Sequence, residues 1–411
     1  MNRAAMSHPA LSRVAVEDDE LLFGGRTLTA LAEEVGQTPF YAYDRDAIRR
    51  RVDAVRATIP REISLHYAVK ANPMPALVGH CATQVDGFDV ASLGELRTAL
   101  DTGTPAEEIS IAGPGKRREE LRAAVAAGVT VNVESPGELE RLAEAGEAAG
   151  RRPRAAVRVN PDFELKSSGM KMSGGPKQFG IDAEQVPGVL RRLGQLGLHF
   201  RGLHIFSGSQ NLSAASLVEA QDATFDLAYR LAGEAPGALE MLNIGGGFGI
   251  PYFPGEEPLD LAACGENLER RVEECRDRLG PVEVILELGR YLVGEAGVYA
   301  CRVLDRKVSR GHTFLITDGG LHHHLAASGN FGQVIRKNYP VVTPRRVHGG
   351  PRETVSVVGP LCTPLDLLAD RVEMGQAEEG DLVAVLQSGA YGYSASPHRF
   401  LGHPPPKEIL V

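Results

Sequence analysis

No stretch of this sequence approaches the roughly 18 consecutive apolar residues that a membrane span requires. The N-terminal segment, polar and acidic through Glu17-Asp18-Asp19-Glu20, lacks the apolar core of a secretory signal, so a cytoplasmic location is expected. Cysteine is sparse and odd in number. Cys81, Cys264, Cys275, Cys301 and Cys362 stand without CxxC spacing, which argues against both a disulfide framework and a zinc site. Basic residues are not clustered: 44 Lys and Arg are scattered among 53 Asp and Glu, and the net charge of −9 leaves no footprint for a nucleic acid. Internal repeats and low-complexity tracts are also missing, Pro404-Pro405-Pro406 being a stiff tail segment. What remains is an ordinary globular composition, 43% hydrophobic and 24% charged over 411 residues, long enough for two domains.

The segment that organises the chain is Tyr67-Ala68-Val69-Lys70-Ala71-Asn72-Pro73. An apolar run over 64–69 predicts a strand, and Pro73 stops it, so an amine is placed at the mouth of a strand. Most lysines are solvated surface charges. A lysine at an apolar strand end is expected to be desolvated, which lowers its pKa and suits it to imine formation. Lys70 is therefore expected to carry pyridoxal phosphate as a Schiff base.

Around this segment the chain alternates. A short hairpin-like piece (21–28) and a helical turn precede an extended lead-in at 38–43, and Asp44 is placed to cap a helix over 45–58. Strand-like runs then recur at 64–69, 87–90, 109–112, 130–133, 155–159, 202–205, 241–244 and 282–286. Helical patterns lie between them at 93–102, 116–127, 136–149, 183–193, 214–231 and 259–279. Eight alternating units predict a (β/α)8 TIM barrel over 38–292. A doubly wound open sheet is the competing arrangement, and the regularity of eight units favours closure. Beyond about 293 the pattern changes to strands at 296–307, 313–317, 340–343, 353–358 and 381–386, which predicts a mainly β C-terminal domain over 293–411, with residues 1–37 packing against it. The aperiodic stretch 319–339 is long enough for a functional loop.

Barrel chemistry belongs at the C-terminal strand ends. Besides Lys70, those ends carry Phe88-Asp89-Val90-Ala91-Ser92, Arg158-Val159-Asn160-Pro161, His204-Ile205-Phe206-Ser207-Gly208-Ser209-Gln210, Gly245-Gly246-Gly247 and Glu287-Leu288-Gly289-Arg290. Three glycines let a backbone approach an anion and point its N–H groups at it. Alone they are equally well a tight turn, and Ile250 breaks a dinucleotide fingerprint. With Lys70 they become a phosphate cup, and Glu287 becomes the carboxylate that keeps a pyridine nitrogen protonated.

These residues resemble the fold type III pyridoxal-phosphate-dependent decarboxylases, the diaminopimelate, ornithine and arginine decarboxylases among them. The resemblance spans 38–411 and also rests on Gly359-Pro360-Leu361-Cys362 and Gly389-Ala390-Tyr391-Gly392. It implies that Lys70 and Glu287 hold the cofactor and that Ser209, Gly245, Gly246, Gly247, Arg290 and Tyr391 hold its phosphate side. It implies a head-to-tail homodimer in which Cys362 enters the partner's site and protonates the carbanion, a role suited to a thiol pKa of roughly 8 to 9.

Two positions depart from the family pattern. Phe206 stands where a histidine usually stacks on the pyridine ring, with His204 pointing the same way if the strand alternation holds through the turn. Thr363 replaces the acidic residue that receives a distal ammonium, which disfavours a diamino-acid substrate, although Asp318 stands near another acidic contact of the relatives. Arg336 is either a carboxylate-binding fork for the substrate or a solvated loop arginine. The run His322-His323-His324 is expected to meet substrate or partner rather than a metal, because adjacent strand residues face opposite ways.

The chain also resembles a subset of the family associated with exopolysaccharide or antibiotic biosynthesis, around Ser207-Gly208-Ser209-Gln210-Asn211-Leu212 and Gly320-Leu321-His322-His323-His324. That subset implies decarboxylation of an L-amino acid or a carrier-bound aminoacyl group, with an acyl-carrier protein as partner. The alternatives are a diaminopimelate decarboxylase, an amino-acid racemase and a non-catalytic pyridoxal-phosphate carrier. Cys362 and Tyr391 argue against the last.

Overall fold

In the computed structural model, which describes residues 8–12, 14–163, 170–171, 175–333 and 335–411, eight parallel strands close into a barrel. They are β1 (Ile63–Ala68), β2 (Gly87–Val90), β3 (Ile109–Ile111), β4 (Thr130–Val133), β5 (Arg154–Asn160), β6 (His199–Ile205), β7 (Met241–Gly246) and β8 (Glu283–Leu288). Each pairs with the next in sequence, and β8 pairs with β1 through Val284↔Ile63 to Leu288↔Tyr67, which completes the ring. The strands are largely buried on both faces, and the polar residues they carry, among them His66, Asp89, Asn132, Arg158, His204, Asn243 and Glu287, are buried with them.

The barrel helices follow the apolar spacing. In Val186–Gln195 the buried positions Val186, Val189, Leu190 and Leu193 form one stripe. Ser92, Ser135 and Ser213 cap the helices Leu93–Leu100, Pro136–Ala149 and Ala214–Ala232 by accepting from the backbone N–H three residues on.

The chain folds into two compact units, one built from 51–250 with 258–291, the other from 1–50 with 251–257 and 292–411. The second is a mainly β unit. Its sheet runs Val341–Val342, Leu382–Val385, Gly297–Ser309, His312–Thr317, Arg352–Val358, Leu367–Gly375. Phe40–Tyr43, read from the sequence as a lead-in to the barrel, is a strand of this unit: it pairs antiparallel with Gly297–Ala300 and parallel with Lys407–Leu410. Its four residues are all buried, which is why it belongs to a sheet interior rather than a connection. Leu21, Leu28, Leu31 and Phe40 pack with Val298, Val342 and Ala384 in the core of this unit.

Strand Leu367–Gly375 has no counterpart among the strands expected from the sequence. The polar pair Asp370-Arg371 interrupts its apolar pattern, and the ladder is irregular there, with Arg371 at φ +46°. Among the described residues no helix is long and apolar enough to cross a membrane.

Candidate active site

At the C-terminal mouth of the barrel, Lys70 sits in a short 3₁₀ turn, Val69–Ala71, immediately after β1. Tyr67 Oη donates to Asn72 O across this turn at 2.9 Å and anchors it. Lys70 Nζ lies 3.0 Å from Glu287 Oε1 on β8. The amine is not desolvated as expected from the sequence: its side chain is 44% exposed and its charge is matched by a carboxylate that is itself only 4% exposed. Glu287 Oε2 lies 3.4 Å from His204 Nε2. Burial pushes the Glu287 carboxyl up, but Lys70 and His204 together outweigh it and hold it well below the usual carboxylate range.

His204 and Phe206 both serve the mouth. His204 ends beside Glu287, and the Phe206 ring centroid is 5.6 Å from Lys70 Nζ. The glycines at the end of β7 fill the gap between β6 and β8. Gly245 (φ +67°) would place a Cβ 2.6 Å from the Phe206 ring, and Gly247 (φ +80°) would place one 2.5 Å from Gly208 O. Both adopt a backbone that side chains disfavour and leave no room for one. Gly246 and Gly247 remain partly exposed, as does Ser209 in the two-residue strand Gly208–Ser209. Arg290 opens the helical turn directly after β8 and is buried. An amine, a buried ionised carboxylate, an aromatic face and an open glycine backbone are the donor set that a phosphorylated pyridine aldehyde requires, so these residues fit pyridoxal phosphate.

Asp89, another of the strand-end residues, is buried on β2. It accepts from Ser110 Oγ, lies 3.5 Å from Asn243 Nδ2 and is 3.4 Å from His66 Nδ1.

Of a second buried charge group at the ends of β3 to β5, the sequence pointed only to Arg158; Lys116, Glu134 and Glu138 went unnoticed. Arg158 pairs with Glu134 at 2.9 Å and lies 6.0 Å from the Phe206 ring, while Lys116 pairs with Glu138 at 2.9 Å. Burial raises the Glu134 carboxyl, but Arg158 and Lys116 pull it below its ordinary value. Arg158 follows the apolar stretch 155–157 of β5, and its charge there is the signal that a buried acid must face it.

The other expected site residues lie in the β unit. Cys362 is exposed. The neighbouring loop is held by Asp366, which accepts from Leu361 N at 2.8 Å and Leu321 N at 2.6 Å. Thr363 Oγ1 accepts from Leu365 N at 3.3 Å. Tyr391 has φ +55° and stacks near Phe331, with centroids 6.1 Å apart. Arg336 is no solvated loop residue: Nη2 donates to Leu367 O at 2.6 Å, while Nε and Nη1 are buried without a hydrogen-bond partner.

Asp318 spends both oxygens internally, accepting from Thr38 Oγ1 and from Arg302 N at 2.8 Å, so it is engaged in holding this unit together rather than open to a substrate. The histidine run, expected to meet substrate or partner, is fully buried. His323 Nε2 bonds Pro404 O and His324 Nε2 bonds Ser388 Oγ, each at 2.9 Å, and His324 packs against Tyr41, Tyr299 and Tyr339. The aromatic surroundings make these rings part of the packing.

Residues 45–294, the whole barrel, match the family described as pyridoxal-dependent decarboxylase, pyridoxal binding domain. The chain belongs to the pyridoxal-dependent decarboxylases. It is 41% identical over 93% of its length, and 90% of the relative's, to the L-glutamyl-(BtrI acyl-carrier protein) decarboxylase of Niallia circulans. It is 34% identical to the diaminopimelate decarboxylase of Aquifex aeolicus, with 96% and 91% covered. The crystal structure of the diaminopimelate decarboxylase of M. jannaschii with L-lysine superposes with a TM-score of 0.88 at 25% identity, covering 98% of this chain and 93% of that one. As a member of this decarboxylase family the chain is a pyridoxal-phosphate-dependent carboxy-lyase of biosynthesis, with the barrel and β domain expected from its sequence.

Proposed function

We propose that this decarboxylase acts on an L-aminoacyl group carried as a thioester on an acyl-carrier protein, the glutamyl group being the first to test. The observation that carries the reading is Thr363. A hydroxyl of modest polarity occupies the position where the diamino-acid enzymes of the family place an acid, and Asp318 has no free oxygen to replace that acid. A buried distal ammonium without a carboxylate costs several kcal/mol, whereas a thioester or amide end carries no charge to compensate. The 41% identity to a carrier-dependent relative, against 34% to a diaminopimelate decarboxylase, supports the same direction.

Pyridoxal phosphate, when bound, supplies the electron sink that stabilises the negative charge left at Cα as carbon dioxide departs. The chain's residues then have these proposed roles. Lys70 tethers the aldehyde. Glu287, ionised and steered by His204, holds a proton on the ring nitrogen, and Phe206 covers the ring where a histidine would also donate a hydrogen bond. Ser209, Gly245, Gly246, Gly247, Arg290 and Tyr391 bind phosphate through N–H, hydroxyl and guanidinium donors. Arg336, buried with donors at Nε and Nη1 that no other described group takes up, supplies a guanidinium for a substrate carboxylate. Cys362 of a second copy of the chain returns a proton to Cα, which makes the homodimer the active form. A cytoplasmic location suits both the reaction and the supply of its cofactor.

The test is carbon dioxide release from free L-glutamate, free diaminopimelate and ornithine, and glutamyl-carrier protein. Turnover of the carrier-bound substrate with kcat/KM far above every free amino acid is expected. Efficient use of a free diamino acid would return the enzyme to the diaminopimelate or ornithine class.

A further inference from the structure

The floor of the barrel, at the N-terminal strand ends, carries a second constellation. Glu108 immediately precedes β3 and Glu283 is the first residue of β8. Between them projects the imidazole of His66 from the middle of β1. One ligand atom of each, a ring nitrogen and two carboxylate oxygens, lies within 4.8 Å of the others.

Acidic residues at a strand end are common and mean little by themselves. His66 makes the difference. It is 2% exposed, and neither of its ring nitrogens has a hydrogen-bond partner. Its Nε2 lies on the Glu108 side of the ring: a Cβ built at Gly87 would come within 2.6 Å of it and within 2.2 Å of Glu108 O. The opposite nitrogen, Nδ1, is 3.4 Å from Asp89 Oδ2. The other Asp89 oxygen is engaged by Ser110 Oγ, which in turn accepts from Asn132 Nδ2 at 3.0 Å. A carboxylate, itself held by hydrogen bonds, beside one ring nitrogen, with two further carboxylates within ligand reach of the same buried ring, is the arrangement that suits a metal-binding histidine.

We propose that His66, Glu108 and Glu283 bind a divalent first-row transition cation of the zinc class, with Asp89 as the carboxylate that fixes the histidine. One imidazole and two carboxylates suit such an ion better than magnesium, which favours oxygen alone. Bond lengths of about 2.0–2.2 Å place two ligands of a tetrahedral ion about 3.3–3.6 Å apart, so side chains up to 4.8 Å apart must draw in by up to about 1.5 Å. Both glutamates are partly exposed at element ends and free to do so. Two guanidiniums neighbour the site: Arg201, whose Nη2 lies 3.6 Å from Glu283 while its Nη1 pairs with Glu240 at 2.6 Å, and Arg154, whose charge acts on Glu108, so a cation bound there must displace or share their charge. Bound there, the ion joins the start of β8 to β1, the seam at which the last strand closes on the first, and to the start of β3.

The probe is Co²⁺, titrated into the chelator-treated holoenzyme and followed by its visible d–d absorption, with Zn²⁺ as competitor. One equivalent per chain is expected. Glu108→Gln and Glu283→Gln, checked for wild-type far-UV circular dichroism and cofactor content, should each weaken binding at least about tenfold. Zn²⁺ should raise the Tm of the wild type but not of the variants. X-ray absorption of the Zn²⁺-loaded wild type, which depends on no variant folding, should show a single imidazole with only oxygen around it. The proposal is overturned if millimolar Co²⁺ leaves the spectrum unchanged, if both variants bind as tightly as the wild type, or if the ion's shell contains sulfur or several imidazoles. In the first case His66 is simply an imidazolium paired with its acidic neighbours.

Discussion

Glu287 holds Lys70 Nζ at 3.0 Å from the opposite side of the β8–β1 seam, 217 residues further along the chain. The carboxylate is buried while the amine is half exposed, so the acid is the fixed partner and the lysine the adaptable one. In the proposed role, in which Lys70 exchanges one covalent partner for another each turnover, the lysine needs that freedom and the acid needs none.

Replacing Glu287 by Gln keeps the shape and removes the charge. We expect kcat for carbon dioxide release to fall about 100-fold or more, the scale of losing one electrostatic contact to charge developing in the reaction. Glu287→Asp should recover part of the loss. Cofactor content, measured alongside, separates weak binding from slow chemistry. A near-wild-type kcat in a Gln variant that retains its cofactor would remove Glu287 from the reaction.

Lys70→Ala and Cys362→Ala chains should each be nearly inactive. If Cys362 completes the site of a second copy, mixing the two after dissociation restores about a quarter of the sites, since half of the dimers are mixed and each contains one site free of both lesions. Chains that demonstrably exchange without recovering activity would mean that each site is self-contained.

Thr363→Asp tests specificity in the opposite direction from the wild type. Restoring the acid should raise kcat/KM for ornithine or diaminopimelate and lower it for a carrier-bound aminoacyl substrate by at least about tenfold, because an unpaired buried carboxylate now faces a neutral group. Equal effects on both substrates would show that residue 363 does not read the distal end.

Acid should destabilise the β unit before its carboxylates titrate. Burial pushes the His322 imidazole down to about 4, and those of His323 and His324 to about 3. Their folded values lie below the ordinary 6.5, so the unfolded chain binds more protons. The stability they contribute is complete above about pH 6.5 and is lost as the pH falls toward about 3 to 4. Between pH 7 and pH 5 the loss is on the order of 2 kcal/mol for each histidine. Urea unfolding at the two pH values measures it, and His324→Asn should flatten the slope. A stability independent of pH over this range would mean that the three rings are not neutral and buried in solution.

The regular alternation of apolar runs with helical stripes was enough to define the barrel, because each local pattern reports which face of an element must leave water. The same local logic placed Lys70 at a strand mouth and the glycines where no side chain fits. It failed at Leu367–Gly375, where Asp370 and Arg371 broke the pattern while ladder hydrogen bonds and neighbouring strands held the backbone extended. It failed again at His322-His323-His324, whose burial depends on Tyr41 and Tyr299 arriving from remote strands and on Tyr339 from the segment before Val341–Val342. Motif order assigned Glu287 to the cofactor, but only barrel closure set its distance to Lys70 and gave it His204 as a neighbour. The same closure set Asp89 against His66, and His66 against Glu108 and Glu283. Strand pairing and ring closure bring together residues far apart in sequence, and no periodicity along the chain encodes those meetings.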